Sequence, residues 1–386
     1  MHQPLPNTNW NFPTNIQFGN GRVQGLPELC EQMKVKKPLL VTDEGLAQFD
    51  FIKNIQSSLN NASIYSAIKA NPNGKNIEDG VQVYKQGGHD GIVAIGGGSA
   101  LDAGKAIGLM VGQTRSMWDF EDVADNYLRV NAQAMAPVIA IPTTAGTGSE
   151  VGRASLIVDE QTHSKKIIFH PNMLPSQVIL DPELTLDLPA HITSATGLDA
   201  FVHNLEAYLS PGFHPMADGI ALQGMALIKE WLPLAYADGQ HLVARGHMLC
   251  ASTMGATAFQ KGLGGVHALA HPLGAIFDKH HGLLNAILLP YVLQKNSPVI
   301  QHKMPALCAA LGLASGYDDF FNWLMAFRKQ LGTPNTLADI GLDTQRSAEI
   351  GPLALADPSS GGNPQVLTAQ DYTDIFIAAV EGGLNK

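Results

Sequence analysis

With 386 residues, 45% of them hydrophobic and 15% charged, the chain is long enough for two domains and too apolar to be a disordered or fibrous protein. Its formal net charge of -10, from 34 acidic and 24 basic side chains, comes with no Lys or Arg run, so neither nucleic acid nor an anionic membrane is an expected partner. Cys30, Cys250 and Cys308 lie far apart and form no C-x-x-C pair. They are expected to be buried thiols of a reducing, cytoplasmic compartment, and any metal must then be held by His and carboxylates. The polar, Pro-punctuated start has neither a basic nor an apolar targeting region, and no apolar stretch approaches the roughly 20 residues that span a bilayer.

From Pro38 to about Asp181, the short β-rich runs PLLVTD, SIYSAI, GIVAIGGGS, PVIAIPTT and QVILD alternate with helical patterns. Several are continuously apolar, as strands buried on both faces of a parallel sheet should be. SLIVD and KIIFH, separated by EQTHSK, are expected as a hairpin added to that sheet. Pro and Asp turn signals in DPELTLDLPAH place a boundary near residues 182 to 192. This gives an α/β nucleotide-binding domain over 1–186 and a second domain over 187–386. The second has long 3.6-period patterns rich in Ala, Leu and Met and is expected to be all-helical. It ends in a loop, ADPSSGGNPQVL, and a last helix, TAQDYTDIFIAAV.

Within the first half, Gly96, Gly97, Gly98 and Ser99 follow the strand GIVAI and open a helical stretch. Backbone N–H groups at such a turn can approach a pyrophosphate, and the helix N-terminus adds partial positive charge. Asp43 ends the strand PLLVTD, where a carboxylate can accept from both hydroxyls of an adenosine ribose and would repel a 2'-phosphate, which predicts NAD over NADP. The same Asp would also serve as a helix cap for EGLAQF. Because the acid precedes the glycines, an ordinary Rossmann fingerprint is disfavoured. A second cradle, IPTTAGTGSE, follows the strand PVIA and offers Thr143, Thr144, Thr147 and Ser149 as neutral donors to ribose or phosphate oxygens.

The second half carries the metal candidates. Asp199 and His203 lie at i and i+4, on one face of a helix beside an apolar stripe. Taken alone, the pair is better explained by an Asp–His hydrogen bond than by a metal site. However, four of the 14 histidines, His267, His271, His280 and His281, fall within 15 residues of otherwise apolar sequence. One Asp with three His is an N3O donor set that suits iron(II) or zinc, not calcium or magnesium. Ala268 follows His267, so the glutamate of a metalloprotease motif is missing. A dinucleotide site together with a metal site implies metal-assisted hydride transfer.

In PLLVTDEG, GGGSALDAGKAIG, PTTAGTGSEV, DPELT, TGLDAFVHNLEAY, HALAHPLGA and HHGLLNAILLP, taken in this order, the chain resembles the iron-dependent (group III) alcohol dehydrogenase family over nearly its whole length. The resemblance implies an α/β NAD-binding domain followed by an all-α metal-binding domain, the dehydroquinate synthase-like architecture, in a homodimer or higher oligomer. It implies that Asp199, His203, His267 and His281 are the metal ligands and that His271 lies beside the cofactor as a proton relay. It assigns Asp43 to the adenosine ribose, Gly97, Gly98 and Ser99 to the pyrophosphate, Thr143 and Thr144 to the nicotinamide half, Lys165 (or its neighbour Lys166) to the nicotinamide ribose, and Asn71 to a further cofactor contact.

The expected reaction is reversible NAD-linked oxidation of a small alcohol to an aldehyde or ketone on iron(II), with zinc as the alternative metal. FQKGLGGVHALAHPLG and GSEVGRAS resemble a branch that includes dehydrogenases of short hydroxy acids such as 4-hydroxybutyrate. There, Lys261 or Arg153 would pair with the substrate carboxylate, unless each is a surface charge or pairs with an internal acid. A glycerol-type dehydrogenase or sugar-phosphate cyclase is the nearest alternative, and a non-catalytic NAD or metal sensor is the alternative of another class.

Overall fold

Continuous runs of Val, Ile and Leu become strands here because they fill both faces of a sheet. The computed structural model describes residues 12, 14–161 and 164–384; the Pro-punctuated start and the middle of EQTHSK lie outside them. The strands are β1 (Asn15–Phe18), β2 (Pro38–Val41), β3 (Ser63–Tyr65), β4 (Gly91–Gly96), β5 (Val138–Pro142), β6 (Ala154–Asp159), β7 (Ser164–Phe169) and β8 (Gln177–Leu180). Six of them form one parallel sheet in the order β1-β8-β5-β4-β2-β3. β2, β4 and β5 are buried along their whole length. β1 is a half-exposed edge strand, and NIQF carries too short an apolar pattern to announce it.

Four helices accompany the sheet: α1 (Leu26–Gln32), α2 (Asp50–Ser58), α3 (Gly74–Gly87) and α4 (Gly98–Met110). Leu26, Leu29, Ile52 and Ile55 of α1 and α2 pack with Leu40, Val93, Ile95, Ile139 and Ile179 of the sheet. The chain steps from β2 out to β3 and then returns past β2 to β4. The order therefore reverses between β2 and β4, and ligands of open α/β sheets collect at the carboxyl ends beside such a point.

The hairpin does not extend this sheet. β6 and β7 form a separate two-stranded antiparallel pair, which meets other segments at the isolated bridges Asn73–Val158 and Glu121–Ile168. The reason lies in α4. Leu156 N–H donates to Asp102 Oδ2 (2.9 Å) and Ser155 Oγ to Asp102 O (2.8 Å), while buried Lys105 Nζ donates to Ala154 O (2.5 Å). These polar contacts seat the hairpin on the helix.

The chain divides into two compact units, one being Pro13–Asp187 and the other running from Leu188 onward. The second contains α5 (Ala190–Leu209), α6 (Pro215–Ala237), α7 (Leu242–Ala258), α8 (Gly265–Phe277), α9 (His281–Ile300), α10 (Met304–Ala310), α11 (Tyr317–Gln330), α12 (Ser347–Ala356) and α13 (Ala369–Glu381), with no strand among its described residues. α5 is buried from Thr193 to Leu209, as a helix without a polar face must be, and it packs against α6, α7 and α9. The N-terminus of α9 reaches α5 at Gly282, where a Cβ would lie 2.5 Å from Ala195 O and 3.1 Å from Asp199 Cβ. Pro272 lies inside α8, which continues to Phe277. Among the described residues, no helix is long and apolar enough to cross a membrane.

Candidate functional site

The α/β unit brings the nucleotide candidates to neighbouring strand ends. Thr143 N–H donates to Gly96 O (3.0 Å), tying the loop after β5 to the glycine turn after β4. Gly98 must be a glycine, because a Cβ there would lie 2.7 Å from Thr147 Oγ1. At Gly97 a Cβ would meet Thr144 at 3.5 Å, an ordinary contact. Ser99 Oγ donates to Ala70 O, which attaches the turn to the segment holding Asn71. No side chain caps α4, and its first turn contains no acid. Its leading N–H groups and positive dipole end thus meet no acid of the helix's own first turn.

Asp43 caps its own turn, accepting from Leu46 N–H through Oδ1 (2.9 Å), while Oδ2 lies toward Gly96. On β7, Lys166 Nζ pairs with Asp159 (3.1 Å) and Glu121 (3.5 Å), so it serves an internal acid cluster. Lys165 points to the opposite face of the strand.

In the helical unit, ligating atoms of Asp199, His203, His267 and His281 lie within 4.8 Å of one another. Asp199 Oδ1 is 3.9 Å from His203 Nε2, 3.9 Å from His267 Nε2 and 3.7 Å from His281 Nε2. Donors of a tetrahedral site with ~2.1 Å bonds stand roughly 3.4 Å apart, so a small contraction would close the set on an ion. A second observation fits a cation. Asn285 Nδ2 lies 2.7 Å from Asp199 Oδ1 and 3.1 Å from both His267 Nε2 and His281 Nε2. Two amide hydrogens thus face three acceptors, and Asn285 Oδ1 is buried without a partner among the described residues. The donors have more lone pairs than protons to satisfy them, and a divalent ion would remove that surplus.

Burial, with His203 next, holds the His267 pKa well below the ordinary imidazole value, which keeps the ring neutral as a metal ligand requires. Its other nitrogen, Nδ1, meets Glu206 Oε2 at 2.7 Å. Burial pushes the Glu206 carboxyl up to about 7 against the opposing pull of its N–H donors Val266 and Gly264. His271 stands outside the donor set, its ring stacked 5.3 Å from that of His281. Its Nδ1 meets Asp357 Oδ2 at 2.8 Å. Burial works to raise Asp357, but His271 and Ser359 outweigh it and hold the carboxyl below its ordinary value.

Three residues of this arrangement are absent from the sequence reading. Glu206 and Asn285 had a usable signal, since Glu206 lies one turn beyond His203 and Asn285 one turn beyond His281. Asp357, far along the chain in a loop, had none. Lys261 is an internal partner: its Nζ lies 2.5 Å from Asp218 Oδ1 and its side chain is 1% exposed. Arg153 stacks on Phe169, 5.7 Å from the ring centre. Of the thiols, Cys30 and Cys308 are buried and Cys250 is half-buried; all three are free.

Residues 13–182 match the family described as iron-containing alcohol dehydrogenase, and residues 193–380 match the Fe-containing alcohol dehydrogenase family, C-terminal. The chain belongs to the iron-containing alcohol dehydrogenase family. It is 36% identical over 373 residues to 4-hydroxybutyrate dehydrogenase of Cupriavidus necator, covering 94% of this chain and 97% of that one. It is 33% identical over 386 residues to NAD-dependent methanol dehydrogenase of Bacillus methanolicus, covering 97% and 100%. The crystal structure of a 1,3-propanediol oxidoreductase superposes with a TM-score of 0.91 at 32% identity, covering 97% of this chain and 100% of that one. The parallel α/β unit followed by a helical unit is this family's architecture, and the chain is a metal-dependent alcohol oxidoreductase.

Proposed function

We propose that this alcohol dehydrogenase oxidises a small alcohol, with short hydroxy acids such as 4-hydroxybutyrate in its range, using NAD and a ferrous ion held by Asp199, His203, His267 and His281. The observation that carries the reading is the convergence of these four side chains beside the buried, unpartnered oxygen of Asn285. The 4-hydroxybutyrate and methanol dehydrogenases among its relatives supply the substrate range. We assign the α/β unit to the nucleotide, with Asp43 on the adenosine ribose, Gly97, Gly98 and Ser99 on the pyrophosphate, Thr143, Thr144 and Lys165 toward the nicotinamide half, and Asn71 as a further cofactor contact. Three free thiols suit a reducing cytoplasm, and the resemblance to the family favours a homo-oligomer.

When bound, the metal supplies Lewis-acid polarisation of the alcohol oxygen and NAD accepts the hydride. The chain supplies orientation and a route for the proton. With Nδ1–H of His271 donated to Asp357, its Nε2 keeps a lone pair that can take up the substrate proton, directly or through water and a ribose hydroxyl.

The test is anaerobic purification with iron and zinc analysis, followed by turnover on primary alcohols, diols and ω-hydroxy acids. Wild type should hold one iron per chain and produce NADH. His267→Ala should lose both metal and turnover while still binding NADH in a fluorescence titration, because the nucleotide residues belong to the other unit. An active His267→Ala with stoichiometric metal would refute the ligand set.

A further inference from the structure

Glu206 lies one turn beyond His203 and two beyond Asp199, so a single face of α5 carries two of the proposed ligands and this carboxylate. It is buried, at 6% exposure, and its contacts all reach across to the start of α8. Oε2 accepts from Gly264 N–H (2.9 Å) and Oε1 from Val266 N–H (2.7 Å), with His267 Nδ1 2.7 Å from Oε2. In the same turn, Gly265 N–H donates to Asn363 Oδ1 (3.1 Å). No side chain of α8's own N-cap takes part. Two remote side chains therefore anchor the helix that carries His267, and only one of them also touches the imidazole.

A buried carboxylate that already accepts from two backbone donors is held in place as an acceptor. Its oxygen at His267 Nδ1 then favours the tautomer with the proton on Nδ1 and the lone pair on Nε2, the atom that faces Asp199, His203 and His281. We infer that Glu206 is the positioning residue of the metal centre: it fixes the tautomer and direction of His267 before any ion arrives. The inference rests on the ligand set proposed above. Glu206 also places a carboxyl group behind the donors, on the ring nitrogen of His267 that faces away from the other three ligands.

Glu206→Gln retains the volume but can accept at only one of the two oxygen positions, so its NH2 opposes either Nδ1 of His267 or the Val266 N–H and the hold on His267 is weakened either way. Asn363→Ser removes the other anchor without touching the ring. Chelator competition on the full chain should show cobalt(II) or zinc held about 10- to 100-fold more weakly in Glu206→Gln, with altered cobalt d–d absorption bands. Asn363→Ser should lower the melting temperature and leave both metal readouts unchanged. Should Glu206→Gln fail to fold, nitrogen-15 spectra of histidine-labelled wild type, metal-free and zinc-loaded, should show His267 protonated at Nδ1 in both. Wild-type metal affinity in Glu206→Gln, equal metal loss in Asn363→Ser, or an Nε2 proton on metal-free His267 would each overturn the inference. Failure of wild type to bind metal would instead overturn the ligand set beneath it.

Discussion

At Asp43 the two carboxylate oxygens face different tasks, Oδ1 holding the Leu46 N–H and Oδ2 lying toward Gly96. Asp43→Asn keeps an acceptor for the turn and removes only the charge, which makes it a cleaner probe than a glycine. Wild type should prefer NAD to NADP, and Asp43→Asn should narrow the ratio of kcat/KM values about tenfold, equivalent to roughly 1.4 kcal/mol of relieved repulsion. An unchanged ratio would remove Asp43 from the ribose site. His271 is tested by a different pair of measurements. His271→Ala should retain stoichiometric metal, measured by mass spectrometry, and lose about 10²- to 10⁴-fold in kcat. Metal lost there but retained in His281→Ala would mean that the ligand is His271. The nearness of His271 to His267 was legible in the sequence, because i and i+4 spacing places side chains together before any fold is known. Asp357 was not, since it meets His271 across 86 residues and no local pattern encodes such an approach.

Elements were legible where one period dominated, as in the fully buried strands β2, β4 and β5. They were not where a partner elsewhere decided the outcome: the hairpin follows Asp102 and Lys105 of α4, and α9 passes through Pro290 without ending. A proline inside a helix leaves the carbonyl four residues earlier without its N–H, in this case that of Ala286. Arg328 of α11, 1% exposed, supplies the donor: its Nε reaches Ala286 O at 2.8 Å and its Nη2 reaches Pro334 O at 3.0 Å. Arg328→Met should leave the buried Ala286 carbonyl and the half-buried Pro334 carbonyl without this donor, destabilising the protein by about 3 kcal/mol in denaturant unfolding. In a Pro290→Ala background the restored N–H takes over one bond, and the cost of Arg328→Met should fall by about 1 to 3 kcal/mol. Strict additivity of the two substitutions would show that the arginine does not compensate the proline.

The change in sequence character near residues 182 to 192 marks where the chain passes from one unit to the other, and the chemistry divides at the same place. All four proposed ligands lie beyond it, on three helices: Asp199 and His203 on α5, His267 on α8 and His281 on α9. Sequence alone could locate these histidines on helices, but not the lone-pair surplus at Asn285, which exists only once three helices converge. An ion bound there adds a link between elements that already meet through packing and the Asn285 and Glu206 hydrogen bonds, and binding to the folded state stabilises it by about 2.7 kcal/mol when free metal stands a hundredfold above its Kd. Removing the metal with a chelator should therefore speed amide hydrogen exchange in α5, α8 and α9. Peptides from β2, β4 and β5 should exchange unchanged, and NADH should still bind. The start of α9 should respond most, because His281 is its first residue and, with a side chain 27% exposed, the least buried of the four. Uniform acceleration across both units would mean that the metal stabilises the whole chain. No acceleration in α9 would mean that His281 does not hold it.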